Sequence, residues 1–258
     1  MPELRYYPCG ETVHDIARLM RGAPRERRVF PAGVFLYDDG VRRILFDTGY
    51  APEPWRAGVS GGLYRRLLPP AVPEDATVDR RLAADGYDVA DITHVVLSHL
   101  HPDHIGGVRF FPRATFVLSA GAARTLASPR LKEGVLAGLL PKWFSDARRI
   151  VVDDFVPGPH GLRVASPFGD DGYRIVDLPG HARGHIGALV EGRMLLAGDA
   201  AWTRELLGRE AGIRLLPRLV GHDRVAQAAT ARALLRAERE GVRLLLSHDP
   251  HEQGRSLL

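Results

Sequence analysis

Three histidines and one aspartate lie close together in a short segment that follows an apolar stretch. An extended segment directs side chains two residues apart to the same face, so His99 and His101 can bind one metal ion. Pro102 then bends the chain, and Asp103 and His104 can turn toward a second ion beside the first. Imidazole nitrogens and carboxylate oxygens are common ligands of transition metals. The segment therefore predicts half of a binuclear metal site.

The remaining ligands of such a site must come from other parts of the chain. Three places offer them, each after an apolar or glycine-punctuated stretch that is typical of a strand. One place carries two histidines four residues apart, and this spacing lets either of them reach a metal. The candidates are His181 with His185, Asp199, and His248. Cys9 is the only cysteine in the sequence, so any metal must be bound by histidine and carboxylate.

These segments follow one another in an order that resembles the metallo-β-lactamase superfamily, and the resemblance covers most of the chain. The segments are Phe46-Asp47-Thr48-Gly49, the stretch 99–104, Pro179-Gly180-His181, Asp199 and His248. A short histidine motif alone is a weak signal, whereas five motifs in the order of the family are far more specific. The resemblance implies the α/β fold of that family, a four-layer αβ/βα sandwich.

The resemblance also implies a role for each polar residue. It implies two zinc ions side by side, with Asp199 bridging them. The implied ligands of one ion are His99, His101 and His181, and those of the other are Asp103, His104 and His248. Asp47 would orient the histidine loop from outside the ligand set. In the family the histidine directly after Pro-Gly is the ligand, so we expect His185 to lie beside the site without binding metal.

A pair of zinc ions suits the hydrolysis of an ester. Water shared between two zinc ions loses its proton near neutral pH, and one ion polarises the carbonyl oxygen of the substrate. No nucleophilic side chain is then needed, and Asp103 or Asp199 can take up a proton and pass it to the leaving oxygen. The ligand set suits zinc, although iron, manganese or cobalt fit the same residues. The expected cofactor is a pair of zinc ions.

Within the family, the chain most resembles the N-acyl homoserine lactonase group, which implies a small-molecule lactone or ester as the substrate. The resemblance rests on the segment around His99 and His101, on Gly198-Asp199-Ala200, and on Ser247-His248-Asp249. Trp202 is a departure, because that group often has tyrosine three residues after the bridging aspartate. An indole N–H donates a hydrogen bond but cannot act as a phenol does. The sequence therefore predicts ring or ester opening and leaves the exact lactone open.

Three other functions remain open at this point. One is a glyoxalase II-like thioesterase, in which Arg183 and Arg204 would supply a basic pocket for an anionic carrier. Another is a persulfide dioxygenase with a single iron ion. The non-enzymatic alternative is a metal-binding regulatory protein, although a chain without catalysis has no chemical reason to keep all seven ligand positions. Metal content and a panel of substrates would separate these functions.

Strand-like and helix-like segments are mixed along the whole chain, which favours an α/β fold. Short turns at Asp38-Asp39-Gly40 and at Glu191-Gly192 pair strands in each half, and a helix follows later in each half. This plan predicts two sheets packed face to face with helices outside. The predicted strands are 34–37, 43–46, 94–97, 115–118, 174–176, 188–190, 194–197 and 242–246, and the predicted helices are 78–85 and 223–239.

Two segments are predicted to be insertions near the pocket. Residues 51–73 contain five prolines and a glycine-rich centre, which indicates a long surface loop. Residues 128–146 begin as a possible helix, with apolar residues at helical spacing from Leu131 to Leu139, and end with two aromatic residues. The candidate pocket side chains are Trp143, Phe144 and Trp202.

The length and composition of the chain fit one domain over residues 1–258, with 45% hydrophobic residues to form a core. The 35 basic residues are interspersed with 31 acidic ones, so the net charge of +4 does not predict nucleic-acid binding. We find neither the apolar core of a signal peptide nor the roughly 18 apolar residues of a membrane span. We therefore expect a cytoplasmic protein, either a monomer or a homodimer.

Overall fold

The computed structural model describes residues 1–52, 57–129, 133–214 and 221–258. The strands are β1 (Glu3–Asp15), β2 (Arg27–Asp38), β3 (Arg43–Phe46), β4 (His94–Val96), β5 (Thr115–Ser119), β6 (Arg149–Val152), β7 (Val156–Pro157), β8 (Arg163–Ala165), β9 (Tyr173–Asp177), β10 (Ile186–Val190), β11 (Met194–Gly198) and β12 (Arg243–Leu246). The α-helices in these ranges are α1 (Ile16–Leu19), α2 (Gly58–Leu67), α3 (Val78–Ala84), α4 (Pro102–Ile105), α5 (Ala120–Ala127) and α6 (Arg224–Arg239). Among the described helices, none has both the length and the apolar character that crossing a membrane requires.

The strands form two six-stranded sheets of mixed direction. The first sheet has the order β1-β2-β3-β4-β5-β6, and the second has the order β12-β11-β10-β9-β8-β7. In the first sheet β1, β2 and β3 are antiparallel, while β3 to β6 run parallel to one another. In the second sheet β11 and β12 are parallel and β9, β10 and β11 are antiparallel. The predicted hairpins β2–β3 and β10–β11 are both confirmed.

Alternate strand residues from both sheets form one apolar layer. Phe46 and Val96 of the first sheet belong to the same buried cluster as Ile186 and Leu196 of the second. Side chains that alternate along a strand point to opposite faces of its sheet. The faces that carry these residues therefore meet in the middle of the molecule, as the sequence predicted.

The outer face of each sheet is covered by helices. Leu45 and Val95, which are adjacent in the chain to residues of the central layer, share a second cluster with Val78 and Leu82 of α3. On the other side, Leu195 of β11 lies in a third cluster with residues of α6 such as Leu234. Helix, sheet, sheet and helix thus form four layers, and the predicted αβ/βα sandwich is confirmed.

The N-terminal strands are longer than the sequence analysis predicted. The first predicted strand covers residues 34–37, whereas β1 covers Glu3–Asp15 and β2 begins at Arg27. The pairing of β1 with β2 shifts its register between Pro8 and Glu11. This bulge interrupts the two-residue alternation that identifies a strand, and for that reason the pattern was missed.

The two predicted insertions also differ from expectation. Residues 51–73 are not only a loop, because they contain α2; prolines lie before and after this helix and do not interrupt it. In residues 128–146 the helix predicted through Leu139 is wrong from residue 133 onward, where the structure has the short 3₁₀ turn Ala137–Leu139, followed by a second turn at Lys142–Asp146. Gly134, with φ of +70°, and Pro141 are incompatible with a continuous helix there. Leu131 lies outside the described residues.

Candidate metal centre

The predicted ligands lie where strands end or where two strands are connected. The loop with His99 and His101 follows β4, and α4 carries Asp103 and His104. The other predicted ligands belong to the second sheet. His181 lies between β9 and β10, Asp199 directly follows β11, and His248 follows β12. Because β11 and β12 are neighbouring parallel strands, Asp199 and His248 lie at the same end of the second sheet, and the packing of the two sheets brings the other side chains to them.

Three histidines form the first cluster, and their ring nitrogens converge on one point. Nε2 of His99 lies 2.9 Å from Nδ1 of His101. Nε2 of His181 lies 3.1 Å from the same Nδ1 atom. All three side chains are buried, and together they form a group able to hold a metal ion.

Two carboxylates and two histidines form the second cluster. Nε2 of His104 lies 3.4 Å from Oδ2 of Asp103 and 3.3 Å from Oδ1 of Asp199. Nε2 of His248 lies 3.1 Å from Oδ2 of Asp199 and 3.6 Å from Oδ2 of Asp103. These four buried groups are the second set in the described chain that is able to hold a metal ion.

Asp199 lies between the two clusters. Its Oδ2 atom, which contacts His248 of the second cluster, is also 3.5 Å from Nε2 of His181 in the first. One carboxylate oxygen is therefore within reach of both positions, which is the geometry that a bridging ligand requires.

The distances and the unsatisfied atoms both fit metal ions. Ligand atoms at about 2.0–2.1 Å from a tetrahedral zinc ion are roughly 3.3 Å apart, close to the separations within each cluster. Nε2 of His104 and Oδ1 of Asp199 are buried and have no hydrogen-bond partner in the described parts of the chain. Burying such atoms unpaired is costly, and a cation between them would remove that cost.

The electrostatic environment differs between the clusters. Burial lowers the pKa of His99 and of His181 well below the usual range, so both imidazoles are neutral and able to donate a lone pair. At His104, burial opposes the charged form, but the carboxylates of Asp103, Asp47 and Asp199 together raise the pKa well above its usual value. The negative potential that favours a proton on His104 favours a metal cation at the same position.

The same field acts on the other members of the second cluster. Burial opposes charge on His248, yet Asp199 and Asp103 raise its pKa to about 9. Burial likewise opposes ionisation of Asp103, but His104 and His248 lower its pKa to about 2. Asp199 also has a pKa well below the usual range, because the attraction of His248 and His104 outweighs its burial. The two carboxylates are therefore ionised and are suited to binding cations.

Asp47 holds the histidine loop in place from behind. One of its carboxylate oxygens accepts the Ser98 N–H at 2.8 Å, and the other accepts the Ser98 hydroxyl and lies 2.7 Å from His104 Nδ1. Asp47 has φ of +62°, a conformation that is unusual for a residue with a side chain. These hydrogen bonds hold that backbone conformation, and they fix the orientation of the His104 ring.

His185 lies outside both clusters. Its Nδ1 atom is 3.0 Å from the carbonyl oxygen of Leu178, and its Nε2 accepts the backbone N–H of Asp199 at 3.1 Å. Both ring nitrogens are therefore engaged, and burial lowers the pKa of His185 to about 4. The neutral ring positions the backbone of Asp199. The division of these residues into metal ligands and supporting residues remains a prediction.

Two supporting contacts were not identified in the sequence. The Ser98 hydroxyl lies 3.0 Å from Nδ1 of His99, and its place between an apolar strand and the first histidine was an available signal. The carbonyl oxygen of Pro31 lies 2.8 Å from Nδ1 of His248. No sequence pattern could identify Pro31, because every residue has a carbonyl group and only the fold brings this one to His248.

The predicted pocket residues lie in two different places. Trp202 and His181 both line a cavity of about 710 Å³ next to the clusters. Phe144 instead is buried in the core with its ring 4.9 Å from that of Phe116, and Trp143 packs against the same core. Neither aromatic residue lines the cavity beside His181, because both rings pack beneath the first sheet, so their place in a substrate pocket stays a prediction.

Comparison with known families and proteins agrees with the fold. The sequence profile of the metallo-beta-lactamase superfamily matches residues 27–248. A probable metallo-hydrolase of Mycobacterium bovis is 32% identical over 176 residues, which cover 66% of this chain. The matched region spans only 56% of that relative.

Two further comparisons cover nearly all of the chain. An N-acyl homoserine lactonase of Azorhizobium caulinodans is 31% identical over 251 residues, covering 92% of this chain and 88% of that relative. A solved N-acyl homoserine lactone hydrolase has the product N-hexanoyl-L-homoserine bound at its catalytic metal centre. That structure has a TM-score of 0.72 with this one at 20% identity, and it covers 96% of this chain and 93% of its own. At this identity the similarity concerns the fold.

Proposed function

Because the chain belongs to the metallo-beta-lactamase superfamily, we propose that it is a binuclear metal-dependent hydrolase that opens a lactone or a related ester. The observation that carries this proposal is the position of Asp199, whose Oδ2 atom contacts one histidine of each cluster. A shared carboxylate holds two ions close together, as hydrolysis by a pair of metals requires. The similarity to a lactonase over 92% of the chain supports the substrate class.

In this proposal the chain's residues hold the ions and move protons. Bound divalent ions acidify a water molecule, so that hydroxide is available near neutral pH, and they polarise the ester carbonyl. His99, His101 and His181 would hold one ion, and Asp103, His104 and His248 would hold the other, with Asp199 within reach of both positions. The carboxylate of Asp103 or Asp199 accepts a proton and passes it to the leaving alcohol oxygen. Asp47 and His185 keep the ligands oriented.

We propose zinc as the metal, because nitrogen and carboxylate oxygen ligands in groups of three or four suit it. Iron, manganese and cobalt are compatible with the same ligands. We also propose a small-molecule substrate and no nucleic-acid partner, since basic and acidic residues are interspersed. A cytoplasmic monomer or homodimer stays a prediction. Trp202 borders the cavity beside His181, so its indole lies beside a bound substrate.

The thioesterase alternative loses the arginines on which it depended. Arg183 lies 3.5 Å from a carboxylate oxygen of Glu133. Arg204 donates two hydrogen bonds of 2.6 Å to Glu238. Both guanidinium groups are paired with carboxylates of the protein, so these two arginines do not favour a thioester carrier. The single-iron dioxygenase alternative would leave the second cluster without a role.

Metal content and turnover, measured on one preparation, test the proposal. We expect mass spectrometry of protein purified without added metal to find about two zinc ions per chain, together with opening of lactones in a panel of lactones and thioesters. We expect Asp199→Ala to lower kcat/KM at least about a thousandfold, since metal catalysis contributes several kcal/mol. Asp171→Ala, at an exposed aspartate of the same half, is the matched control.

Two outcomes would contradict the proposal. One iron ion per chain with no hydrolysis of either substrate class would favour the dioxygenase. Two metal ions with full activity in Asp199→Ala would remove the bridging role of this carboxylate.

A further inference from the structure

A cavity of about 710 Å³ opens beside the metal centre and extends along α6. His181 at one end connects it to the first cluster, and Trp202 and Ile213 form apolar parts of its wall. The cavity is larger than an ester group needs, since pockets of 300–1,000 Å³ bury whole drug-sized molecules. The cavity therefore has room for a part of the substrate that does not react.

The first turns of α6 present a regular pattern to the cavity. Arg224, Ala228 and Arg232 all line it and lie at intervals of four residues, which places them on one face of the helix. The two arginines are about 12 Å apart along the helix axis, at 1.5 Å per residue. The small side chain of Ala228 leaves space between two guanidinium groups.

These two guanidinium groups form no ion pair or side-chain hydrogen bond within the described ranges of the chain. The two acidic residues of the same wall already accept hydrogen bonds. Glu210 accepts the Gly208 N–H at 2.7 Å, and Asp223 accepts two N–H groups at the start of α6. The acidic groups thus bind backbone donors, whereas no group of the described residues occupies the arginine donors.

We propose that this cavity binds an anionic group of the substrate, a carboxylate at the end of an apolar chain that leads away from the scissile ester. The inference rests on the proposed hydrolase function and adds the substrate class. The apolar chain contacts Trp202 and Ile213, and the carboxylate contacts the guanidinium of Arg224 or Arg232. Guanidinium groups bind carboxylates with charge-assisted and often paired hydrogen bonds.

Two esters with the same leaving group and chain length test the inference. 4-Methylumbelliferyl hydrogen octanedioate ends in a carboxylate, and 4-methylumbelliferyl octanoate ends in a methyl group. We expect the acidic ester to have the higher kcat/KM, mainly through a lower KM. Substitution of the arginine that contacts the carboxylate, Arg224→Gln or Arg232→Gln, should lower the ratio of the two kcat/KM values by about fivefold. At high salt the preference should weaken, because exposed charges are screened.

Arg239→Gln is the matched control, since Arg239 is an exposed arginine of the same helix that does not line the cavity. This variant should leave the ratio unchanged. Equal kcat/KM values for both esters, or a ratio that neither cavity variant lowers, would overturn the inference while hydrolysis itself stands. Hydrolysis of neither ester would count against the proposed function.

Calorimetric titration with octanedioate then tests the cavity alone. Equal affinity in the parent protein and in the Arg224→Gln/Arg232→Gln double variant would overturn the inference that these arginines bind a carboxylate.

Discussion

The hydrogen bonds of each imidazole ring distinguish two histidines that spacing alone leaves equivalent. His181 directs Nε2 toward Nδ1 of His101 and toward Asp199, at 3.1 and 3.5 Å. His185, four residues later, binds a backbone carbonyl with one nitrogen and a backbone N–H with the other. The first ring belongs to the cluster of three histidines, and the second hydrogen-bonds the backbone of Asp199.

Substitution of these two histidines should therefore have different effects. We expect His181→Ala to lose about one metal ion per chain and to abolish hydrolysis. We expect His185→Ala to retain two ions but to lose about 10- to 100-fold in activity, because the Asp199 backbone loses its partner. Metal analysis by mass spectrometry and kinetics of both variants check this expectation. Loss of a metal in His185→Ala alone would exchange the two roles.

Cys9 illustrates a residue whose chemistry is suppressed by burial. Its side chain is fully buried, and burial raises the pKa of the thiol far above its usual value. Because only the thiolate is a strong nucleophile, we expect no alkylation of Cys9 in the folded protein at pH 8. Iodoacetamide labelling followed by mass spectrometry measures this, with denatured protein as the positive control. Labelling of the folded protein at the rate of a free thiol would contradict the buried position.

At the scale of elements, close backbone contacts hold the metal-binding loop against the first sheet. α4 is only four residues long, yet it carries both Asp103 and His104. It is followed by Gly106, whose N–H donates a 2.9 Å hydrogen bond to the carbonyl oxygen of Gly49. A Cβ at Gly106 would lie 2.0 Å from the backbone nitrogen of Ala51. Glycine is required here because two backbone segments touch.

Two glycine-to-alanine substitutions test this packing. We expect Gly106→Ala to destabilise the protein by about 3 kcal/mol, because backbone must move to admit the methyl group. Gly62→Ala is the control, since Gly62 lies in α2 and a Cβ there meets no atom within 4 Å. We expect that change to stabilise the protein by about 0.5–1 kcal/mol. Chemical denaturation measures both, and equal effects would refute the close contact.

At the scale of the whole molecule, each metal cluster joins the two halves of the sandwich. In the first cluster His99 and His101 follow a strand of the first sheet, whereas His181 follows a strand of the second. The second cluster similarly combines Asp103 and His104 with residues that follow β11 and β12. A metal ion in either position therefore links the two sheets.

Removing metal should for this reason lower the stability of the whole fold. A ligand present at 100 times its Kd stabilises a folded protein by about 2.7 kcal/mol, so two such ions contribute about 5 kcal/mol. For a chain of this size we expect a decrease in Tm of at least about 10 °C after chelation. Differential scanning calorimetry before and after chelation measures the change, and adding zinc back should restore it. An unchanged Tm would show that the clusters hold no ion in the folded protein.

Much of the fold could be predicted because short apolar strands alternate with helix signals. The hairpins at Asp38-Asp39-Gly40 and Glu191-Gly192, the position of α3 and that of α6 all follow from local patterns. β1 could not be predicted, because a bulge near Pro8 breaks the alternation along its sequence. α2 was missed because the prolines that flank it resemble those of a loop.

The sequence alone determined which residue types are available for metal binding and that they follow strand ends. Spacing of two residues in an extended segment brings His99 and His101 together without help from the rest of the chain. Tertiary structure decided that Asp199 contacts both clusters, that Pro31 supports His248, and that α6 adds two arginines to the cavity. These partners lie tens to hundreds of residues apart in the chain. Local sequence determines only the geometry of near neighbours, and distant groups meet only when the two sheets pack together.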